Sequence, residues 1–252
     1  MLNISILCPS VKIHKVSKRQ EKSFFEVLFE DNHLLVVSKA AGLLSQGDST
    51  RDKSLVDHAK SYIKTKYDKP GKVFLGLPHR LDRPVSGIII LCRTSKALSR
   101  ISEMIKKREI SKHYLAVTKT APVKPSGKLV SFIKKDSVKN RAIISDKAFE
   151  GAKEAILNYK QLGTYKDKVL LRIELITGRP HQIRAQLNMI GSPIIGDIKY
   201  SKQTPLPDKS IALHAHQLKF MHPVTKEWLQ LTAPLPKKEW WTPLKQIAYK
   251  DR

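Results

Sequence analysis

Apolar runs of strand length recur along most of the chain, spaced too irregularly for regular strand–helix alternation. Residues 27–30 and 34–39 flank a turn at Asp31-Asn32, and residues 86–93 contain the unbroken run Ile88-Ile89-Ile90-Leu91. Similar patterns predict strands at residues 112–119, 169–176, 211–220 and 228–232. Leu55, Ala59, Tyr62 and Ile63 repeat at helical spacing within residues 54–67, with Ser54 or Asp52 as the cap. An amphipathic helix is predicted over residues 95–107, with Leu98, Ile101 and Ile105 facing inward. A third helix is predicted from Pro180, in its first turn, to about Ile190, ended by Gly191. Residues 120–168 are lysine-rich and interrupted by Pro122, Pro125, Gly127 and Gly151, the pattern of β-hairpin excursions. A doubly wound fold requires repeated βαβ units. Their absence predicts an α+β fold: a largely antiparallel mixed β-sheet with flanking helices and loops.

The 252 residues carry 47 lysines and arginines against 22 aspartates and glutamates, a formal charge of +25. Self-repulsion on that scale costs the folded state stability, so RNA or DNA is the expected partner, a generally basic proteome being the alternative. At 41% hydrophobic residues the chain has enough apolar material for a large core. Its two cysteines, Cys8 and Cys92, form no CxxC pair, which argues against a disulfide framework or a cysteine zinc site. No apolar stretch is long enough to cross a bilayer, and the opening residues 1–7 lack the basic start of a secretory signal. A cytoplasmic protein is expected. Lys12, Lys15, Lys18, Arg19 and Lys22 make the first 25 residues a basic extension, read either as an RNA-contacting arm or as a frayed terminus.

Three segments concentrate groups able to do chemistry. In His79-Arg80-Leu81-Asp82-Arg83-Pro84-Val85-Ser86-Gly87, the arginines beside Asp82 would stabilise its carboxylate form, leaving a nucleophile or base; a surface salt bridge is the alternative. In Gly178-Arg179-Pro180-His181-Gln182-Ile183-Arg184, His181 and Arg184 share one helical face, suited to a carboxylate or phosphate or simply solvated. On the strand over 112–119, Lys112, Tyr114 and Ala116 share a face, where a tyrosine can also be mere packing. His214 and His216 share a strand face as well. No third ligand at diagnostic spacing accompanies them, so they read as a pair without metal.

Together these segments resemble the RluA-type family of RNA pseudouridine synthases. The match rests on His79-Arg80-Leu81-Asp82 with Ser86-Gly87, on Gly178 through Arg184, and on Gly191, Gly196-Asp197 and Tyr200. Glu30-Asp31, Val36-Val37-Ser38-Lys39 and Gly42 at the start, and Leu213-His214-Ala215, His222-Pro223-Val224-Thr225 and Ala233-Pro234-Leu235-Pro236 at the end, are similar to it too. The resemblance runs in order from about residue 26 to about residue 236. Thr is usual in the family at Val85, and Ala is frequent at Cys92.

The resemblance implies the pseudouridine synthase catalytic fold over residues 26–240, followed by a C-terminal tail from residue 241 to 252. The small RNA-binding domain that precedes the catalytic domain in many relatives is not expected here, since about 25 residues come before residue 26. The implied activity is isomerisation of a specific uridine in structured ribosomal or transfer RNA by base flipping. Asp82 is implied as the catalytic carboxylate, Arg184 as its basic partner, and Tyr114 as the aromatic that stacks on the target base. Arg80 is implied to fill the space left by the flipped nucleotide, with His79, Arg83, Arg179, His181 and Gln182 completing the RNA contacts. No cofactor or metal is expected, since the isomerisation has no net redox or group-transfer demand. A monomer without an obligate protein partner is expected. A non-catalytic RNA-binding protein would not need Asp82, Tyr114 and Arg184 together. A glycosidase or a two-metal nuclease would need further carboxylates, and none is apparent around Asp82.

Overall fold

The computed structural model describes residues 24–250. Cys8, the opening apolar stretch and the basic run from Lys12 to Lys22 lie outside the described residues.

Among the described residues, ten strands form one sheet. In chain order they are β1 (Phe25–Glu30), β2 (Leu34–Lys39), β3 (Ser86–Cys92), β4 (Ser111–Thr118), β5 (Ser126–Asp136), β6 (Arg141–Ser145), β7 (Lys153–Tyr165), β8 (Lys168–Leu175), β9 (Leu213–Met221) and β10 (Trp228–Thr232). Their spatial order is β1-β2-β3-β9-β4-β8-β7-β5-β6, with β10 also paired to β9. The pairing is antiparallel except where β3 meets β9, in parallel, at Ser86↔His214 and Gly87↔Ala215. The α+β expectation holds, and the lysine-rich region 120–168 does form hairpin strands.

Two helices flank the sheet early in the chain: α1 (Leu55–Lys66) and α2 (Ser95–Lys106). Ser54 is the cap of α1. Its Oγ accepts from Asp57 N while the Asp57 carboxylate accepts from Ser54 N, so two orphan donors are satisfied reciprocally. Asp52, the other candidate, pairs with Arg83 instead. In α2, Ile101 is fully buried beside Ala97, while Leu98 and Ile105 pack at the edge of the core.

The unbroken apolar run of β3 follows from burial on both faces. Ile89 and Leu91 join Leu35 and Val37 of β2 in the main core. Ile88 and Ile90 join Leu34 and Val36 in a second core beneath α2. Cys92 is fully buried there, and burial pushes its thiol up to about 12, which leaves it an inert core residue. Beyond residue 241 the chain continues as a single 3-10 turn (Thr242–Leu244) and a short helix, α4 (Lys245–Lys250). Trp241, Leu244 and Ala248 are buried in the main core, so residues 241–250 are part of its packing rather than a free tail. Flanking lysines and a single turn of periodicity hid that packing in the sequence.

The loop that carries Asp82 feeds directly into β3, where β3 and β9 touch. Gly87 makes that contact possible. Its φ is +113°, and a Cβ there would lie 2.1 Å from Ala215 O and 2.6 Å from Ala215 N. A methyl group must therefore separate β3 from β9 as well as strain the backbone. Gly87→Ala is expected to destabilise the protein by at least about 3 kcal/mol. The midpoint of urea unfolding checks this, and an unchanged midpoint would rule the contact out as a constraint.

Candidate active site

Asp82 sits on a loop tied down on both sides. Leu81 N donates to Ser45 Oγ (3.1 Å), and Ser45 Oγ donates to Leu81 O (2.6 Å). Gly42 N and the Lys39 ammonium both donate to Arg83 O, and Ile211 N donates to Pro84 O. Val85 N closes the turn on Asp82 O. Lys39 is only 1% exposed and also donates to Ala40 O and Leu43 O. Burial lowers its pKa to about 7, against the pull of the Asp82 charge. It thus joins residues 40–43 to the loop from within. These ties fix the main chain on either side of Asp82 before any substrate arrives.

The third helix, α3 (Gln182–Met189), supplies the opposing cation. It starts at Gln182 rather than at Pro180. His181 has φ +54°, a left-handed conformation that a helix cannot contain. Gln182 organises the turn, its Oε1 accepting from Thr177 Oγ1 and Arg179 N and its Nε2 donating to Ile156 O. Two residues on, Arg184 is buried and spans two carboxylates. Its Nη1 donates to Asp82 Oδ2 (3.0 Å), and its Nε and Nη2 donate to Asp197 Oδ2 and Oδ1 (2.8 Å each). Burial alone would lower the guanidinium pKa, but the two carboxylates outweigh it and raise the value.

The chain from Ser192 to Ser201 holds Asp197 in place. Ile195 N donates to Val117 O, so this segment hangs from the end of β4, the strand that carries Tyr114. Tyr114 faces Ile173 of β8 and Ala215 of β9 and is nearly buried. Burial raises its phenol pKa, and the charge of Asp82 raises it further, so the ring stays neutral. Tyr200 completes the cluster. Its hydroxyl accepts from Ala142 N (2.6 Å) and lies 2.8 Å from His181 Nδ1, while the guanidinium of Arg184 sits over its ring at 5.2 Å.

The arrangement therefore brings Asp82, Arg184 and His181 together, with Tyr114 close enough to respond to the Asp82 charge. The arginines adjacent in sequence do not hold Asp82. Arg83 turns away to Asp52 (2.7 Å) and Gly42 O (3.0 Å), and Arg80 is exposed. The cation on Asp82 comes instead from 102 positions away. Of the other expected RNA contacts, Gln182 is 3% exposed with both ends of its amide bonded inside the fold. His79 accepts from Ile90 N through Nε2, and burial lowers its pKa to about 4. Arg179 donates from Nε to Glu154 O.

Asp197, Tyr200, Ser45 and Lys39 are supporting groups that local sequence patterns did not single out. Lys39, Gly196-Asp197 and Tyr200 were visible only as parts of a longer family pattern. His214 binds Ser86 Oγ through Nδ1 (2.8 Å), its ring 5.9 Å from that of His216. Among the described residues, no group of three or more His, Cys, Asp or Glu side chains could hold a metal ion. Nor is any described helix long and apolar enough to cross a membrane.

The family model for RNA pseudouridylate synthase matches residues 33–189, a span that includes Asp82, Tyr114 and Arg184. Ribosomal large subunit pseudouridine synthase C of Rickettsia felis is 32% identical over 212 residues, covering 83% of this chain and 67% of that protein. Dual-specificity RNA pseudouridine synthase RluA of Pasteurella multocida is 32% identical over 221 residues, covering 84% of this chain and 93% of its own length. Among solved structures, human RNA Pseudouridylate Synthase Domain Containing 4 shares the fold, with a TM-score of 0.71 at 24% identity over 88% of this chain and 92% of that one. On the sequence match the chain belongs to the RluA-type family of RNA pseudouridine synthases, enzymes that isomerise uridine in RNA.

Proposed function

We propose that this enzyme modifies a uridine of ribosomal or transfer RNA, with Asp82 as the catalytic carboxylate, Arg184 as the cation that holds it and Tyr114 as the ring that stacks on the base. The observation that carries the assignment is the 3.0 Å bond from Arg184 Nη1 to Asp82 Oδ2. Arg184 and the neighbouring His181 both approach Oδ2, so Oδ1 is the oxygen neither of them holds. That oxygen is available to act at the ribose. In the reaction the bond from ribose C1′ to N1 breaks, the base rotates, and C1′ bonds to C5. C5 then gives up its proton, and N1 ends protonated. The substrate class is supported by the relatives, one named for the ribosomal large subunit and one as dual-specificity.

Extruding the uridine costs a few kcal/mol of lost stacking. The neutral ring of Tyr114 offers a face for the flipped base, and Arg80, exposed two residues before Asp82, can fill the gap in the helix. The net charge of +25 suits a sequence-independent grip on phosphates. A glycosidase would need a second working carboxylate. The other carboxylate on Arg184, Asp197, is 1% exposed with both oxygens bonded to the guanidinium, which disfavours that role. The same reading has the enzyme working as a monomer in the cytoplasm, and sedimentation of the purified protein checks the first point.

Deleting the gene and mapping pseudouridine across all stable RNAs tests the substrate. At least one site in ribosomal or transfer RNA is expected to disappear and to return with the wild-type gene. Loss of no site in either class would defeat the substrate assignment.

A further inference from the structure

We propose that His181 is a positioning residue for Asp82: held by Tyr200 in the tautomer with its proton on Nε2, it presents that N–H to Asp82 Oδ2 and turns Oδ1 toward the reacting nucleotide. The proposal rests on the reading of Asp82 as the catalytic carboxylate.

Proton accounting selects the tautomer. Ala142 N can only donate, so the Tyr200 oxygen accepts there (2.6 Å). Its own proton then has His181 Nδ1, at 2.8 Å, as its acceptor. A neutral imidazole that accepts at Nδ1 carries its proton on Nε2. The opposite tautomer would aim a lone pair at a carboxylate oxygen and leave the phenol proton without this acceptor. Nε2 lies 3.7 Å from Asp82 Oδ2, too long for a hydrogen bond at rest. Catalytic contacts of this kind commonly tighten when substrate binds.

Tyr200 is a stiff support. It is 6% exposed, meets the imidazole edge-on with ring centroids 5.7 Å apart, and has the guanidiniums of Arg184 and Arg141 over its ring at 5.2 and 4.9 Å. The backbone supplies a second argument. His181 holds φ +54°, a left-handed conformation that glycine adopts freely and histidine adopts at some cost. The bond to Tyr200 fixes where the ring sits in that turn.

His181 faces Asp82 and Asp197, which favour its protonation, and Arg184 and Lys199, which oppose it, with Tyr200 behind the ring. Burial is the largest influence and lowers its basicity, so near neutral pH it acts as a donor without charge. In acid it becomes an imidazolium paired with Asp82, which withdraws the carboxylate from reaction.

The test compares His181→Gly, His181→Gln and Tyr200→Phe with wild type and with Asp82→Asn, by release of tritium from RNA labelled at uridine C5, across pH. In His181→Gly, kcat should fall about 10- to 100-fold, the cost of a misplaced reacting group. Its KM should stay within about twofold, and its melting temperature should hold or rise as the strain is relieved. His181→Gln carries an amide N–H at similar reach and should recover most of kcat, with a shallower acid limb than wild type because one titrating group is gone. Tyr200→Phe should lower kcat without raising KM. Wild-type kcat in His181→Gly, or a raised KM with kcat unchanged, would overturn the proposal, the second result marking an RNA contact instead. If Asp82→Asn is inactive in that experiment, the catalytic reading survives such a failure. If Asp82→Asn is active, both fall.

Discussion

Asp82→Asn is expected to lower pseudouridine formation by on the order of 10⁴-fold or more, the scale seen when a group central to the chemistry is removed. The substitution preserves shape and removes only the charge. Arg184 keeps its paired bonds to Asp197, so no buried cation is stranded. The amide oxygen of asparagine can still accept from Arg184 Nη1. The Asp82 side chain is 28% exposed, and exchanging one charge-assisted bond for a neutral one there should cost about 1 kcal/mol or less. RNA affinity should be equal or slightly higher, since a negative charge leaves a surface that meets phosphates. Single-turnover tritium release, filter binding and thermal melting separate the three quantities. A variant that melts and binds like wild type yet retains a tenth of its rate would remove Asp82 from the chemistry.

The sheet was largely legible in the sequence, and the contacts of individual polar residues were not. Ile88 to Leu91 read as a strand because alternate members fill different cores, which forces every position to be apolar. Ser54 announced the start of α1 because capping is local chemistry. Pro180 misplaced the start of α3, since the left-handed turn at His181 depends on Gln182 bonding across to Ile156, 26 positions earlier. Gln182 and His79 lie within chemically suggestive motifs, yet their bonds run into the fold. A polar residue is written the same way whether it points to a cleft or to a backbone. The pair at the centre, Asp82 and Arg184, had only the family resemblance to link it, because nothing local connects positions 102 apart. Asp197 was harder still, for its role exists only once Arg184 is buried beside it.

That burial makes Arg184→Met the substitution with the largest expected effect on stability. Methionine approximates the length of the aliphatic stem but leaves Asp197, 1% exposed, without the guanidinium that binds both its oxygens. Breaking a buried ion pair from one side costs about 3–5 kcal/mol, because the remaining charge is neither solvated nor paired. Activity should fall with it, as Asp82 loses its anchor. Arg184→Lys keeps the charge and should recover part of the stability, but one ammonium cannot reproduce a fork that serves two carboxylates, so activity should stay about 10- to 100-fold below wild type. The double variant Arg184→Met with Asp197→Asn should regain more stability than additivity allows, since the stranded charge is gone, and should remain inactive. The sign of the pH effect follows from linkage. A buried carboxylate without a cation favours its protonated form in the folded state, so lowering the pH should narrow the gap between Arg184→Met and wild type. Urea unfolding of these proteins and of the Asp197→Asn single variant, at neutral and mildly acidic pH, measures all of this. Strict additivity of the two substitutions, with a gap that ignores pH, would mean that Asp197 does not depend on Arg184 for its place in the fold.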